Sequence, residues 1–191
     1  STERLRLVKR LANRSADDRL PLVITSIQAL MQPVLSRDDL AKSTRTLKVG
    51  ETIDLEELAA WLTAHGSHAT SAVELPGEFA QRGGIVDIYP PDATSPVRIE
   101  LFGDEIDSIR TFDVATQRSH ESLAEVAITV PDPQAMVRAH FTSHLPEGSW
   151  IVVLEPSDME EEARFYHERQ DAADRLHSTK TTLAEIYKFP S

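Results

Sequence analysis

The feature that most constrains how this chain can fold is a pair of strand-like segments joined by a two-residue turn. The segments are Pro96–Phe102 and Glu105–Phe112, and the Gly-Asp pair between them is a glycine-first turn suited to a tight hairpin. Successive side chains of a strand point to opposite faces of the sheet, so a period of two assigns each residue to one side. We therefore predict that Val97, Ile99 and Leu101 enter a core, and that Arg98, Glu100 and Phe102 share the opposite face.

The shared face of Arg98, Glu100 and Phe102 has two interpretations. Arginine and aromatic side chains carry a disproportionate part of the energy of protein interfaces, which favours a docking surface. Alternatively, Phe102 folds over the end of the hairpin while Arg98 and Glu100 make local cross-strand pairs, each worth roughly a few tenths of a kcal/mol. Arg82 follows the extended segment Glu78–Gln81. It would lie beside the same face if the strands pair as a meander, and would otherwise be a surface turn residue.

Residues 44–130 form a distinct central segment in which short strands surround one helix. The helix is predicted to begin at Asp54, a capping residue with Glu57 three positions later, and to end at Gly66. Pro-Gly, Gly-Gly, Pro-Pro and Gly-Asp turn signals separate the extended stretches that follow. This pattern predicts a compact α+β module that ends at Pro131. The extended stretches cover residues 68–75, 78–82, 84–89, 96–102, 105–112 and 122–130.

Residues 1–43 and 131–191 are typical of an α/β layer, in which helices and apolar strands alternate. Neither segment has enough strands to close a sheet by itself. We therefore expect residues 44–130 to be a domain inserted into a second unit that both flanks form. The predicted elements of the flanks are helices at Glu3–Ala12 and Pro133–Ser143, a short helix capped by Ser26 and stopped by Pro33, an apolar strand at Leu22–Thr25, a buried strand at Trp150–Leu154, and a helix opened by a capping box at Ser157 and Glu160.

The chain is acidic, and its charge is unevenly distributed. The formal net charge is −11, of which residues 44–130 contribute −9 from 15 acidic and 6 basic side chains, residues 131–191 contribute −5, and residues 1–43 contribute +3. A sequence-independent grip on DNA depends on Lys and Arg releasing counterions from the phosphates, and an acidic surface repels the same polyanion. Direct nucleic-acid binding by this chain alone is therefore disfavoured.

The motifs of nucleotide binding and catalysis are missing from the sequence. Gly83 and Gly84 lack the Lys of a phosphate-binding loop and lie between predicted strands, so ATP binding is not expected. No G-x-S-x-G elbow frames a nucleophile. His140 and His144 are spaced to share a helix face as zinc ligands do, yet no H-E-x-x-H glutamate and no cysteine accompanies them. We therefore expect no enzymatic activity, no cofactor and no metal in this chain.

The apolar runs of the sequence are short. Trp150–Leu154 is one of the longest, and it falls far short of the roughly 20 residues that a membrane span requires. No signal peptide is visible, and the absence of cysteine makes a reducing compartment the natural setting. We therefore expect a soluble, cytoplasmic protein with no membrane partner.

Four sequence blocks between residues 76 and 119 carry a resemblance to a known family. The blocks GEFAQRGG, VDIYPP, RIELFGDEIDSI and FDVATQRS match, in order and spacing, the UvrB-homology region that the excinuclease subunit UvrB shares with the bacterial transcription-repair coupling factor (Mfd) family. Residues 23–34 and 47–62 also resemble this region. The likeness therefore covers about residues 20–130, and the tail from residue 131 is only loosely similar.

Two details favour the coupling factor, in its N-terminal UvrB-homology region, over UvrB. UvrB typically has an Asp after the first Gly of the R-G block, where this chain has Gly83-Gly84, and it lacks the T-Q-R-S ending found here at Thr116–Ser119. In the coupling factor family the inserted domain binds UvrA, and the flanking domain resembles a degenerate RecA-like α/β fold that has lost its ATP-binding motifs. The resemblance thus implies a small mixed α+β domain (44–130) flanked by two parts of a degenerate RecA-like α/β domain (1–43 and 131–191).

The resemblance also implies a partner site and a role. By motif position the UvrA-binding residues are Arg82, Arg98, Glu100 and Phe102, and Leu101 stands where UvrB usually has the first of two aromatic residues. RNA polymerase and DNA would be reached through other parts of a parent protein that is an ATP-dependent DNA translocase. Two alternatives stay open, namely a fragment of a UvrB-like DNA-handling helicase subunit and an intramolecular clamp that keeps the parent closed.

Overall fold

The structure is a computed structural model, and it describes residues 2–15, 18–19, 21–131 and 139–190. These residues form two compact units. We call residues 2–6 with 38–131 the sheet unit, and residues 7–37 with 139–190 the helical unit. The helices are α1 (Thr2–Ala12), α2 (Ile27–Met31), α3 (Arg37–Lys42), α4 (Leu55–Ala64), α5 (Pro156–Glu168) and α6 (Thr179–Ile186). The strands are β1 (Thr44–Lys48), β2 (His68–Ala69), β3 (Glu78–Arg82), β4 (Ile85–Ile88), β5 (Val97–Phe102), β6 (Glu105–Phe112), β7 (Ser119–Leu123) and β8 (Glu125–Thr129).

The sheet unit contains two sheets and one long helix, so the predicted mixed α+β fold is confirmed. Six strands pair in the order β2-β3-β4-β5-β6-β7, with β2 parallel to β3 and every other pair antiparallel. Strands β1 and β8 form a separate antiparallel pair. Strands β3 to β6 are consecutive in the chain and adjacent in the sheet, so they form a meander. This is the pairing that the sequence analysis required for Arg82 to lie beside the face of Arg98, Glu100 and Phe102.

The hairpin of β5 and β6 forms as the alternation predicts. Phe102 pairs with Glu105 across the turn, and Gly103 has a φ of 68°, a conformation that glycine adopts without strain. Ile99 lies opposite Ile109, and both side chains are buried in the core beneath the sheet. The pairing shifts between Glu100 and Leu101, a β-bulge that no feature of the sequence indicated.

Helix α4 begins where its capping residue predicts. The Asp54 side chain accepts hydrogen bonds from the backbone N–H groups of Glu56 and Glu57, at 2.8 and 3.2 Å. Such a bond satisfies N–H groups that have no partner within the helix. Leu58 and Leu62 are fully buried against the sheet core. The cap and the apolar stripe together fix the helix against one face of the meander and leave the other face uncovered by α4.

Two extended stretches of the sheet unit differ from the prediction. The stretch 68–75 pairs only over His68–Ala69. The stretch 122–130 belongs to two strands, β7 and β8, which lie in different sheets and meet at Ala124. Leu123 and Val126 both pack toward the core although they are three residues apart, so the alternation changes phase at the bend. The sequence prediction did not separate the two strands there.

The helical unit packs α2, α5 and α6 around a small core. Ser26 caps α2 by accepting the N–H of Ala29 at 3.3 Å, as expected. The predicted capping box of α5 is wrong, because the helix already begins at Pro156 after Glu155 in a left-handed conformation. Proline is favoured at the first helical position. The core side chains are Ile27, Met31, Ala163 and Ile186.

The predicted apolar strands of the flanks are wrong within the described residues. Residues 22–25 and 150–154 belong to no strand. Their outward side chains are exposed, up to 90% for Leu22 and 79% for Leu154. A strand is buried only where neighbouring strands and a covering layer exist. The helix predicted near Pro133–Ser143 falls largely on residues 132–138, outside the described residues, and the described part is a short 3-10 helix at Phe141–His144.

None of the helices in the described part of the chain has the length and apolar character needed to cross a membrane.

Candidate docking face

The four residues predicted as a partner site lie on one face of the meander. Cross-strand partners share a face, and Arg82 pairs with Ile85, which in turn pairs with Glu100. Arg98 pairs with Arg110 of β6. Leu101 packs toward the core on the opposite side, so Phe102, the next residue, returns to this face. We call this surface the docking face; it carries Arg82, Ile85, Asp87, Arg98, Glu100, Phe102, Ser108 and Arg110.

Phe102 is the most exposed large apolar side chain of the sheet unit. It is 86% exposed at the end of β5, where it is followed at once by the turn. The alternative in which Phe102 folds over the end of the hairpin is therefore wrong. An aromatic ring held in solvent by a rigid hairpin costs little conformational entropy when a partner covers it.

Arg98 is held in place by its neighbours. Its Nε and Nη2 atoms donate to the two carboxylate oxygens of Asp87, at 2.7 and 2.8 Å, and Nη2 also donates to Gln117 at 3.2 Å. The guanidinium carbon lies 4.7 Å from the centroid of the buried Phe112 ring. The hydrogen bond to Asp87 raises the pKa of Arg98, with burial opposing it. Local pairing of Arg98 is thus real, and it fixes the orientation of the side chain.

Glu100 also makes local contacts. Ser108 donates its hydroxyl to Oε2 of Glu100 at 2.8 Å, and Nη2 of Arg110 lies 3.5 Å from the same oxygen. The local-pairing interpretation is therefore correct for the two charged residues, although it fails for Phe102. Pairing and docking are compatible, because charges that are already oriented lose less freedom on binding.

Arg82 lies at the end of the β3–β4 hairpin. Its Nε donates to the backbone carbonyl of Ser71 at 3.1 Å, and Nη2 contacts the same oxygen. The turn that follows is Gly83-Gly84. A Cβ on Gly84 would stand 3.1 Å from the Leu101 carbonyl oxygen, so a side chain there would crowd the β4–β5 pairing. Gly84 therefore allows the close approach of β4 and β5, whereas Gly83, with a φ of 57°, allows the tight turn that joins Arg82 of β3 to β4.

Arginines are concentrated on this face. Residues 44–130 contain six Lys and Arg side chains, and three of them, Arg82, Arg98 and Arg110, belong to the docking face. The segment is otherwise strongly acidic. This distribution favours a partner surface that presents carboxylates.

Sequence reasoning missed Asp87, Arg110, Phe112 and Gln117. Each contacts or neighbours a predicted site residue from another strand or loop. A signal for Asp87 was present, since it is the one charged residue in the apolar run of β4. The contacts themselves depend on strand register, which a single strand does not specify.

His140 and His144 make separate hydrogen bonds. Nδ1 of His140 lies 2.8 Å from the Thr142 hydroxyl, and Nε2 of His144 lies 2.8 Å from the Leu35 carbonyl oxygen. Burial lowers the pKa of both residues, that of His140 to about 4. His140 caps the start of a 3-10 helix and His144 is its last residue, and with three residues per turn a spacing of four does not stack them as in an α-helix. The described residues contain no group of three His, Asp or Glu side chains placed to hold a metal ion.

The comparison with known families matches the central segment. The family model described as UvrB interaction domain matches residues 46–132. The transcription-repair-coupling factor of Bacillus subtilis (strain 168) is 39% identical over 126 residues, which are 66% of this chain and 10% of that relative. The transcription-repair-coupling factor of Staphylococcus haemolyticus (strain JCSC1435) is 55% identical over 84 residues, which are 44% of this chain and 7% of that relative. The transcription-repair-coupling factor of Staphylococcus aureus (strain bovine RF122 / ET3-1) is 41% identical over 128 residues, which are 67% of this chain and 10% of that relative.

The α+β fold of the sheet unit and the family match define the class: the chain carries a UvrB interaction domain. Within that class, the chain belongs to the transcription-repair coupling factor family as a UvrB-homology region. The resemblance found in the sequence is thus confirmed. The chain spans about a tenth or less of the length of the curated relatives described above.

Proposed function

We propose that this chain is a non-catalytic docking module that binds UvrA through the docking face and thereby recruits nucleotide excision repair to stalled RNA polymerase. The observation that carries the proposal is the 86% exposure of Phe102 at the turn end of β5, a strand that also holds the oriented Arg98 on the same face. Isolated exposed apolar residues are common on protein surfaces. An exposed aromatic side chain on the same face as fixed guanidinium groups matches the composition of binding hot spots.

The family supports the choice of partner and setting. The matched domain is named for the UvrB interaction, and the relatives are named as factors that couple transcription to repair. UvrB and the coupling factor share this region, so a common partner of the two families is the natural ligand of the shared surface. In this proposal the contacts with RNA polymerase and DNA belong to other parts of the parent protein, and the module acts in the bacterial cytoplasm.

Surface complementarity is sufficient for this role. Covering Phe102 removes a large apolar area from water, which is worth roughly 1.5–3 kcal/mol for a fully buried side chain of this size. Arg98 contributes an oriented charge at little entropic cost, because Asp87 and Phe112 already hold it. No bond is made or broken, and the module needs only to present a fixed surface.

The test is a calorimetric titration of the chain against purified UvrA of the same organism. We expect Phe102→Ala and Arg98→Ala each to weaken binding by about 2 kcal/mol or more. Arg82→Ala should follow closely, because Arg82 lies at the edge of the face. Charge reversal by Arg98→Glu should weaken binding more than truncation, because two like charges would be forced into a desolvated contact.

Leu75→Ala is the matched control for Phe102→Ala, since Leu75 is exposed in the same unit and lies outside the docking face. It should leave the affinity unchanged. The melting temperature of each variant separates lost contact from lost fold. Equal affinity of Phe102→Ala, Arg98→Ala and the unmodified chain for UvrA would contradict the assignment of the face.

A further inference from the structure

The three arginines of the docking face differ in how many of their donors are already used. A guanidinium carries five N–H donors, and its best contact with a carboxylate is a two-bond fork. The contacts within the sheet unit therefore decide which arginine can offer such a fork to a partner. This question rests on the docking role proposed above and concerns the chemistry of the same face.

Arg98 has little of its fork left. Asp87 occupies the edge formed by Nε and Nη2, Gln117 takes a further bond from Nη2, and Phe112 covers one side of the guanidinium plane. Its side chain is 21% exposed. Arg82 uses its Nε and Nη2 atoms on the Ser71 carbonyl oxygen. Both arginines are thus engaged along the edge that a carboxylate would occupy.

Arg110 is the exception. Among the described residues, its one charged partner is Glu100, whose Oε2 lies 3.5 Å from Nη2. A strong charge-assisted hydrogen bond between such groups is about 2.7–2.9 Å long. The same oxygen already accepts a 2.8 Å bond from Ser108. The Arg110 side chain is 40% exposed, nearly twice the value for Arg98.

We infer that Arg110 is a further partner-binding residue, which takes a carboxylate of the partner through its guanidinium fork. Its position fits this role, because it lies directly opposite Arg98 on β6 and beside Glu100. Glu100 keeps the guanidinium above the face without occupying its fork at hydrogen-bond distance. In this arrangement Arg98 presents the fixed, flat surface of its guanidinium group, and Arg110 makes the directional hydrogen bonds to the partner's carboxylate.

The experiment is a titration of the whole chain against UvrA with variants at position 110. Arg110→Ala and Arg110→Gln should each weaken binding roughly ten- to a hundred-fold. Arg110→Lys should recover only part of the loss, because an ammonium group keeps the charge but cannot form the planar fork. The melting temperature should stay within a few degrees of the unmodified chain, since the ion pair that is lost is long and partly exposed.

Lys48→Ala is the matched control. Lys48 belongs to β1, outside the meander, and is paired with Glu125 at 2.9 Å. Its replacement removes the same charge from the same acidic unit, so an unchanged affinity would separate a local contact from a general charge effect. Losses that are equal for Lys48→Ala and Arg110→Ala would overturn the inference.

The outcomes also separate this inference from the docking role. If Phe102→Ala weakens binding while Arg110→Gln binds like the unmodified chain, Arg110 is not a binding residue and the docking face stands. If Arg110→Lys binds UvrA as tightly as the unmodified chain, the two-bond contact with a carboxylate is also overturned, because a positive charge is then sufficient. If the unmodified chain does not bind UvrA, the docking role and the inference both fail.

Discussion

The two units of this chain differ in whether their apolar segments are paired as strands and buried. In the sheet unit, Ile99 and Ile109 lie in adjacent strands and are buried in one core with α4 beneath them. In the helical unit, residues 22–25 and 150–154 are also mostly apolar, yet they belong to no strand, and their exposed side chains line a cleft of about 700 Å³. Apolar character alone therefore did not determine burial.

This difference shows that the burial of an apolar segment depends on whether the chain nearby supplies a strand for it to pair with. Strands β3 to β6 follow one another in the chain, so each hairpin supplies the neighbour of the next strand. The segments 22–25 and 150–154 show alternation as well, because Val23, Ile151 and Val153 are partly buried while their neighbours point outward. They therefore have two apolar sides, as in strands of a sheet covered on both faces, but only one side is packed.

The largest expected effect tests the core of the sheet unit. Ile99→Ala should lower the free energy of unfolding by about 2–5 kcal/mol, because it removes buried methyl and methylene groups and leaves a cavity. Urea denaturation followed by circular dichroism measures this loss. Phe102→Ala on the same strand should change stability by less than about 0.5 kcal/mol. Similar losses for the two variants would show that the alternation does not separate core from surface.

A second effect of intermediate size concerns the helical unit and pH. Burial, and then the neighbouring His177, lowers the pKa of His140 from 6.5 to about 4. The unfolded chain takes up this proton near pH 6.5, whereas the folded chain resists it down to about pH 4. Stability should therefore be complete above pH 6.5 and fall as the pH drops toward 4, by on the order of 3 kcal/mol.

Hydrogen exchange measured by mass spectrometry, corrected for its intrinsic pH dependence, reports each unit separately. Between pH 6.5 and 5, protection should fall in α2, α5 and α6 more than in β5 and β6. His140→Gln should reduce this dependence, because the side chain cannot be protonated. His144, whose pKa burial also lowers, contributes in the same direction. Equal loss of protection in both units would contradict the assignment to these histidines.

The smallest expected effect tests the exposed segments. Val152→Thr should change the free energy of unfolding by less than about 0.5 kcal/mol, because Val152 is 78% exposed and loses little packing. The buried valine of the sheet, Val86, is the matched control. Val86→Thr should be clearly destabilising, because it places a hydroxyl in the core. A loss above about 1 kcal/mol for Val152→Thr would show that this segment is covered in solution, and sedimentation would then detect self-association.

The sequence was sufficient where the signal is local. The hairpin of β5 and β6, the cap at Asp54 and the buried positions Val97 and Ile99 follow from turn chemistry, capping and alternation. The same alternation placed Arg98, Glu100 and Phe102 on one face. The sequence placed Arg82 on that face only if the strands pair as a meander, and the observed strand order meets this condition.

The sequence was insufficient where the result depends on pairing. Ile106 and Ile109 are three apart, yet both are buried, because the bulge in the β5–β6 pairing absorbs one residue. The pairs Asp87–Arg98 and Glu100–Arg110 depend on register between strands. The division of 122–130 into β7 and β8 depends on which strand each half meets.

By itself, the sequence determined the β5–β6 hairpin, the start of α4, the side of β5 on which each residue lies, and the family. The tertiary structure decided which charged groups are already engaged, which aromatic ring stays in solvent, and which apolar segments find a covering layer. The reason is physical: turn, cap and alternation signals act over a few residues, whereas burial and ion pairing require groups that are brought together only by strand register and packing.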